Sequence, residues 1–154
     1  FSASYSNKAD DLDLAIPVLL NYNIYRDFGI VAGTTINNKV GISPLAGIQH
    51  SFANSEWVAV SIASFFLNSS KNLELFGIYE YKPQLNSNIN IYTRLQYMYI
   101  HGFAQNLHAR SFMQLRAGLK ITSLNFGIGA NLDQYGASKV FKPNYGLFLG
   151  WSFL

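Results

Sequence analysis

Three histidines, His50, His101 and His108, are the side chains best suited to proton transfer in this chain, and Ser111 follows His108 by three positions. A serine beside a histidine is the minimum for nucleophilic acyl transfer, because the imidazole takes the hydroxyl proton as the oxygen attacks. Ser69 and Ser70 supply two more hydroxyls. Spacing joins none of these into a triad, which is recognised by geometry. No catalytic residue is assigned, and an enzyme would have to use His101 or His108. The chain has no Cys, which removes thiol nucleophiles, disulfides and thiolate metal sites. It carries no metal-spaced cluster of His and carboxylates, no glycine-rich phosphate loop and no nucleic-acid signature. Neither a metal nor a cofactor is expected, and a net charge of +3 does not argue for a nucleic-acid partner.

Ionisable side chains form two further groups. Glu74, Glu80, Lys82, Arg94, Arg116 and Lys120 fall at alternate positions of three neighbouring segments. Lys8, Lys39, Lys71, Arg110, Lys139 and Lys142 fall in segments that read as connections. What either group can do depends on the elements that carry it.

Those elements are constrained by an unusual composition. Hydrophobic residues make up 49% of the 154 and charged residues 12%, against about 25% charged in soluble domains. Disorder requires the opposite balance. No apolar stretch nears the ~20 residues of a membrane helix; the best runs from Leu14 to Leu20 and contains Pro17. The chain opens at Phe1 with no secretory signal, as expected if a leader has been removed or left out.

The dominant pattern is alternation with a period of two, the mark of strands with two unlike faces. It is cleanest toward the C-terminus. Leu124, Phe126, Ile128, Ala130 and Leu132 alternate with Asn125, Gly127, Gly129, Asn131 and Asp133. Met113, Leu115, Ala117, Leu119 and Ile121 alternate with Gln114, Arg116, Gly118 and Lys120. A two-residue loop at Thr122 and Ser123 pairs Ile121 with Leu124, Leu119 with Phe126, and Arg116 with Gly129. A slip of one residue would mix the faces. Similar patterns lead back through Ile89 to Tyr99, Leu73 to Tyr81, Val58 to Phe66, Val40 to Phe52, Phe28 to Ile36, Leu14 to Tyr22 and Phe1 to Tyr5. In the N-terminal half even positions stay apolar throughout, so turns are placed by breakers. A loop over residues 37–39 sets Ile36 opposite Val40, and another covers residues 53–56. The expectation is one all-β domain over residues 1–154, a closed antiparallel up-and-down barrel of ten strands, or eight if one hairpin is misread.

The polar face is rich in Gly, Ser, Asn and Gln, which suits a crowded interior better than a solvated exterior. Placing the apolar face outward makes this a membrane barrel, whose outer wall must stay free of charge because Lys or Arg at the midplane costs about 2–4 kcal/mol. Glu74, Glu80, Lys82, Arg94, Arg116 and Lys120 then form an ion network in the lumen. With Trp57, Phe65, Phe76, Tyr92, Met98 and Phe148 also inward, the lumen is plugged, as in other small barrels. Val58, Val60, Ile62 and Phe66 are assigned to the outer face.

Tyr145, Leu147, Leu149, Trp151 and Phe153 alternate up to the C-terminal Leu154. This segment resembles the last strand of bacterial outer-membrane β-barrel proteins, in a style similar to those of Bacteroidota. Leu154 departs from that family, whose chains usually end on the aromatic itself. The resemblance implies that Leu147, Leu149, Trp151 and Phe153 form the signal read by the barrel-assembly machinery, and that the C-terminal end faces the periplasm. Lys8, Lys39, Lys71, Arg110, Lys139 and Lys142 would then lie in extracellular loops, the longest over residues 102–110 and 134–144, facing lipopolysaccharide phosphates. Tyr22, Phe28, Phe52, Trp57, Tyr79, Tyr81, Trp151 and Phe153 would form a periplasmic aromatic girdle, and Tyr5, Phe66, Tyr97, Tyr99 and Tyr145 an outer one. The expected role is structural or accessory: a scaffold or subunit of a larger envelope complex, with Gly77 and Ala117 offering a partner close approach. The alternatives are a lipid A-modifying or other membrane enzyme, or a small passive pore.

Overall fold

The computed structural model describes residues 2–4, 13–38, 41–69, 71–104 and 106–151. Eleven strands run in chain order: β1 (Ser2–Ser4), β2 (Asp13–Tyr25), β3 (Phe28–Asn37), β4 (Gly41–Ala53), β5 (Trp57–Phe66), β6 (Asn72–Tyr81), β7 (Gln84–Asn86), β8 (Ile89–Gly102), β9 (Leu107–Ile121), β10 (Leu124–Tyr135) and β11 (Val140–Trp151). There is no helix among the described residues. Ten strands form one antiparallel sheet in which each pairs with the next, and β7 only flanks β8. β7 falls inside what reads as a turn, where Asn86 Oδ1 accepts from the amides of Asn88 and Ile89. Among the described residues no ladder joins β11 to β1 or β2.

Directly opposed residues of an antiparallel ladder point to the same side, so the registers assign every face. The hairpin at Thr122 and Ser123 forms as expected, with Ile121 opposite Leu124, Leu119 opposite Phe126 and Arg116 opposite Gly129. Thr122 takes a positive φ of 53° to make the turn. Ile36 faces Ile42 and not Val40. That shift of two residues preserves the faces.

The turn between β4 and β5 reverses a face. Ala53 pairs with Val58, leaving four residues between them. Asn54 Oδ1 holds this loop by accepting from the amides of Glu56 and Trp57 at 2.9 and 2.7 Å. An even number of intervening residues switches the outward set from even to odd positions. Val58, Val60, Ile62 and Phe66 therefore share the face of Ser51, Gln49 and Leu45, and Phe66 is buried. Trp57 and Phe65, expected inside, lie on the opposite face, where Trp57 stacks on Tyr81 at 4.2 Å.

The distribution of exposure is inverted relative to a soluble sheet. Thirty large apolar or aromatic side chains are exposed among the described residues, and four are buried. The exposed set follows the apolar face: Phe28, Ile30, Ile36, Ile42, Ile48, Leu147 and Leu149 all belong to it. The other face contains Val31, 1% exposed, with Leu45, Ser64 and Tyr92. Among the described residues no second layer packs on this sheet, and these residues are covered because the sheet curls around them.

A glycine pair shows how close the backbones come. Tyr92 faces Gly118, Gly118 faces Gly127, and Gly127 faces Phe148 across four consecutive strands of the sheet. Three spacings of about 4.8 Å would separate the ends of this row by ~14 Å in a flat sheet. The sheet curls and the two rings lean over the glycines, bringing their centroids to 5.7 Å. A Cβ on Gly118 would lie 2.8 Å from Cα of Gly127, and one on Gly127 would lie 2.6 Å from Cα of Gly118. Gly127→Val should destabilise the fold by roughly 1–3 kcal/mol through overpacking. Urea unfolding in detergent, followed by Trp fluorescence, measures this; an unchanged midpoint would contradict it.

Candidate functional site

The six residues expected to form one lumen network separate into smaller groups. All lie on the inward side of β6, β8 and β9 or just beyond it. Glu80 is the hub of the first group: its Oε2 accepts from Lys82 Nζ at 3.0 Å, and its Oε1 lies 3.5 Å from Arg94 Nη1. Arg94 also donates to Gln96 Oε1 at 2.9 Å. Arg116 joins no carboxylate among the described residues. It donates to Asn131 Oδ1 at 2.9 Å and to the Leu115 carbonyl, and its guanidinium lies 6.0 Å from the Phe148 ring centre. Lys120 stands opposite Asn90 and Asn125. Glu74 stands opposite Ser64 and Ile100, with no salt bridge among the described residues.

A second ionic group lies at the start of β9 and the end of β10. β9 starts at Leu107 and β11 at Val140, so the connections between strands are shorter than expected, over residues 103–106 and 136–139. Arg110 and Lys142 consequently sit in strands rather than loops. Arg110 turns inward, lies 3.7 Å from Asp133 Oδ1 and donates to the Tyr135 hydroxyl at 3.1 Å. Its guanidinium also lies 4.8 Å from the Tyr135 ring centre, and Lys142 Nζ approaches the same ring at 5.7 Å. Lys71 and Lys139 do lie in connections, both with positive φ. Lys8, Lys39 and Phe153 lie outside the described residues. Leu147, Leu149 and Trp151 are outward and exposed on β11.

The outer face has its own polar arrangement. Ser61 Oγ and the Tyr79 hydroxyl are 2.6 Å apart, which satisfies two polar atoms on an apolar wall. Gly77 offers no open floor, because the Tyr97 ring covers it: a Cβ there would lie 2.5 Å from Tyr97 Cε1. Near the other end, His101 and His108 do not lie in a loop; they face each other across β8 and β9. The register shifts between Ile100 and His101, and Ala109 has no opposite number. His108 and Ser111, three apart, would point to opposite sides of a regular strand. The bulge puts both on the outer face, because His108 opposes His101 and Ser111 opposes Tyr99. His108 is 8% exposed. Its Nε2 lies 3.1 Å from Ser111 Oγ and its Nδ1 2.9 Å from the Gly136 carbonyl oxygen. Ser111 Oγ also lies 3.5 Å from the Gln134 side-chain oxygen.

No protein-family model matches the chain, and no curated protein matches it in sequence. The geometry therefore stands by itself.

Glu80 bonds both cations, whereas Arg94 has Gln96 as a second partner. Glu80→Gln should cost about 1.5–3 kcal/mol, the usual worth of hydrogen bonds to charged groups, and more than Arg94→Ala. Both variants should lower the temperature at which the folded gel band converts to the unfolded one. Equal effects would show that Glu80 is not the hub.

Proposed function

We propose that the chain is an integral bacterial outer-membrane β-barrel, closed into a cylinder of ten strands, whose filled lumen serves as a rigid membrane-embedded scaffold in an accessory role. The observation that carries this reading is the inverted exposure: the apolar face points out and the ionic groups point in. An exposed apolar surface this extensive needs an apolar surrounding, and a β-structure immersed in lipid needs closure so that its edge strands find backbone partners. Strands of 10–15 residues from β2 to β6 and from β8 to β11 match or exceed the ~9–11 residues of a tilted membrane strand.

The lumen argues for a scaffold over a pore. Tyr92, Phe148, Phe66 and Leu45 fill it from different strands, and Arg116 spans from Asn131 to the Phe148 ring. The alternating outer residues of β11, Leu147, Leu149 and Trp151, support recognition by the barrel-assembly machinery. Lys71 and Lys139, at connections of the end opposite Trp151, would meet lipopolysaccharide phosphates.

The protein should stay in the membrane pellet after alkaline extraction and require detergent for solubility. Unheated samples should migrate faster on a denaturing gel than boiled ones, as a closed barrel does, and planar bilayers should show only small conductance. A monomer soluble without detergent would overturn the membrane reading, and large steady currents would overturn the filled lumen.

A further inference from the structure

We infer that Ser111 and His108 form a nucleophile–base pair on the outer wall that hydrolyses ester-linked acyl chains of membrane lipids. The lipid-facing placement rests on the barrel reading above, whereas the pair itself rests on geometry alone. A carbonyl oxygen only accepts hydrogen bonds, so the 2.9 Å contact with Gly136 makes His108 Nδ1 the protonated nitrogen. Nε2 is then an acceptor, and at 3.1 Å it receives the Ser111 hydroxyl proton. This is the tautomer a general base needs, held by the carbonyl in the place a carboxylate takes in a triad. Gly136 has a positive φ of 69°, and its amide donates to the Ala109 carbonyl at 2.9 Å. The turn that presents the carbonyl is thus tied to the bulge that aims the histidine.

Gln134 supplies the third component. The single Ser111 hydroxyl proton goes to the nearer acceptor, His108, so the Gln134 carboxamide at 3.5 Å is free to turn its N–H₂ toward the serine. Amide oxygen and nitrogen exchange by rotation about the terminal bond. In that orientation the amide is a hydrogen-bond donor beside the nucleophile, the kind of group that can stabilise the negative charge developing on a substrate carbonyl oxygen.

The surroundings select an acyl chain. Ser111 opens into a groove of about 360 Å³ lined by Tyr97, Tyr99, Met113, Leu132 and Phe141. A second groove of about 670 Å³ follows on the same strands, between Leu115, Ala117, Ala130, Tyr145 and Leu147. Successive rows of the β9–β10 ladder connect them, from Ser111 with Gln134 through Met113 with Leu132 to Ala117 with Ile128. The six steps from Ser111 to Ala117 cover about 20 Å along the strand, an apolar track that starts at the serine and descends the wall.

In the reaction Ser111 Oγ attacks the ester carbonyl carbon while its proton passes to His108 Nε2. The ester C–O bond breaks and the leaving alkoxide takes that proton. Water then attacks the acyl-serine, gives one proton to Nε2, and releases the fatty acid as the proton returns to Ser111 Oγ. The site lies at the end of the sheet that bears the connections over residues 103–106 and 136–139.

The test uses the full chain folded in detergent. Fatty-acid release is measured from phosphatidylethanolamine micelles and, separately, from lipid A, alongside labelling by a fluorophosphonate. Release from either lipid, with labelling of Ser111, is expected, and the substrate cleaved identifies the source of the chain. Ser111→Ala and His108→Gln should each lower the rate at least ~10³-fold while the unheated gel band stays in place. Gln134→Ala should lower kcat ~10²-fold or more and retain labelling. Should a variant lose the folded band, the wild-type protein still decides the matter through release and labelling. Neither release nor labelling in wild-type protein that migrates as folded would overturn the inference. So would cleavage of a short soluble ester without cleavage of lipid. Failure of the barrel reading would appear independently, as a protein soluble without detergent.

Discussion

Opposed residues in an antiparallel ladder share a face, and in a single-layer sheet that constraint decides which side chains stand exposed and which meet one another. Here the length of each turn, together with any bulge beside it, sets which parity points outward. Without a bulge, an odd number of intervening residues keeps the outward set on the same parity, and an even number exchanges it. The loop after Ala53 exchanges it, the hairpin after Ile121 exchanges it again, and the connection between Asn37 and Gly41 does not. The outer wall stays apolar because the sequence changes parity in step: Ile48 and Phe52 before the first switch, Phe65 and Leu75 after it, and Phe126 and Ile128 after the second.

The interior follows from the same rule and has two characters. On the β3–β5 side it is mainly apolar, with Val31, Leu45, Ile62 and Phe66. On the β6–β10 side it is polar and ionic, with Glu80, Arg94, Gln96, Arg116 and Asn131. The two adjacent rows at Gly118–Gly127 and Arg116–Gly129 explain how bulky groups fit within a curled sheet. Glycines there leave room for the Tyr92 and Phe148 rings and for the Arg116 guanidinium, which would otherwise meet a Cβ on Gly129 at 2.8 Å. A partly buried charge is costly to leave unpaired, and the Glu80 trio meets that cost with one bond along the chain, to Lys82, and one contact across to Arg94 on β8.

Much of this was legible in the sequence wherever alternation was unbroken and the turn was short. From Met113 to Trp151 the apolar and polar sets separate cleanly, so the Thr122–Ser123 hairpin and its register could be deduced. The β4–β5 face was misassigned because both sets there are apolar or small: Val58, Val60 and Ile62 against Ala59, Ala63 and Phe65. Hydropathy could not detect the parity switch, and the only local signal was Asn54 ahead of Ser55 and Glu56, suited to a side-chain-capped turn. Arg110 was misplaced because a strand continues well past the point where its alternation becomes irregular. That irregularity was the signal for a bulge, and the bulge was what brought His108 and Ser111 together.

Bulges collect where a strand must re-aim a side chain, and this one is braced from both sides of the sheet. On the inner face Arg110, one residue after the bulge, reaches Asp133 and Tyr135 on β10. On the outer face His108, one residue before it, reaches the Gly136 carbonyl just beyond the end of β10. Both contacts bind the start of β9 to the same short stretch of chain, residues 133–136. The inner ionic group therefore has a role apart from filling the lumen: it fixes the strand pair whose other face carries the serine and histidine. A nucleophile–base pair requires positioning within hydrogen-bond reach. A thin sheet can supply it only if the backbone beneath is immobilised, and here contacts on both faces, Arg110 on one and His108 on the other, anchor that backbone.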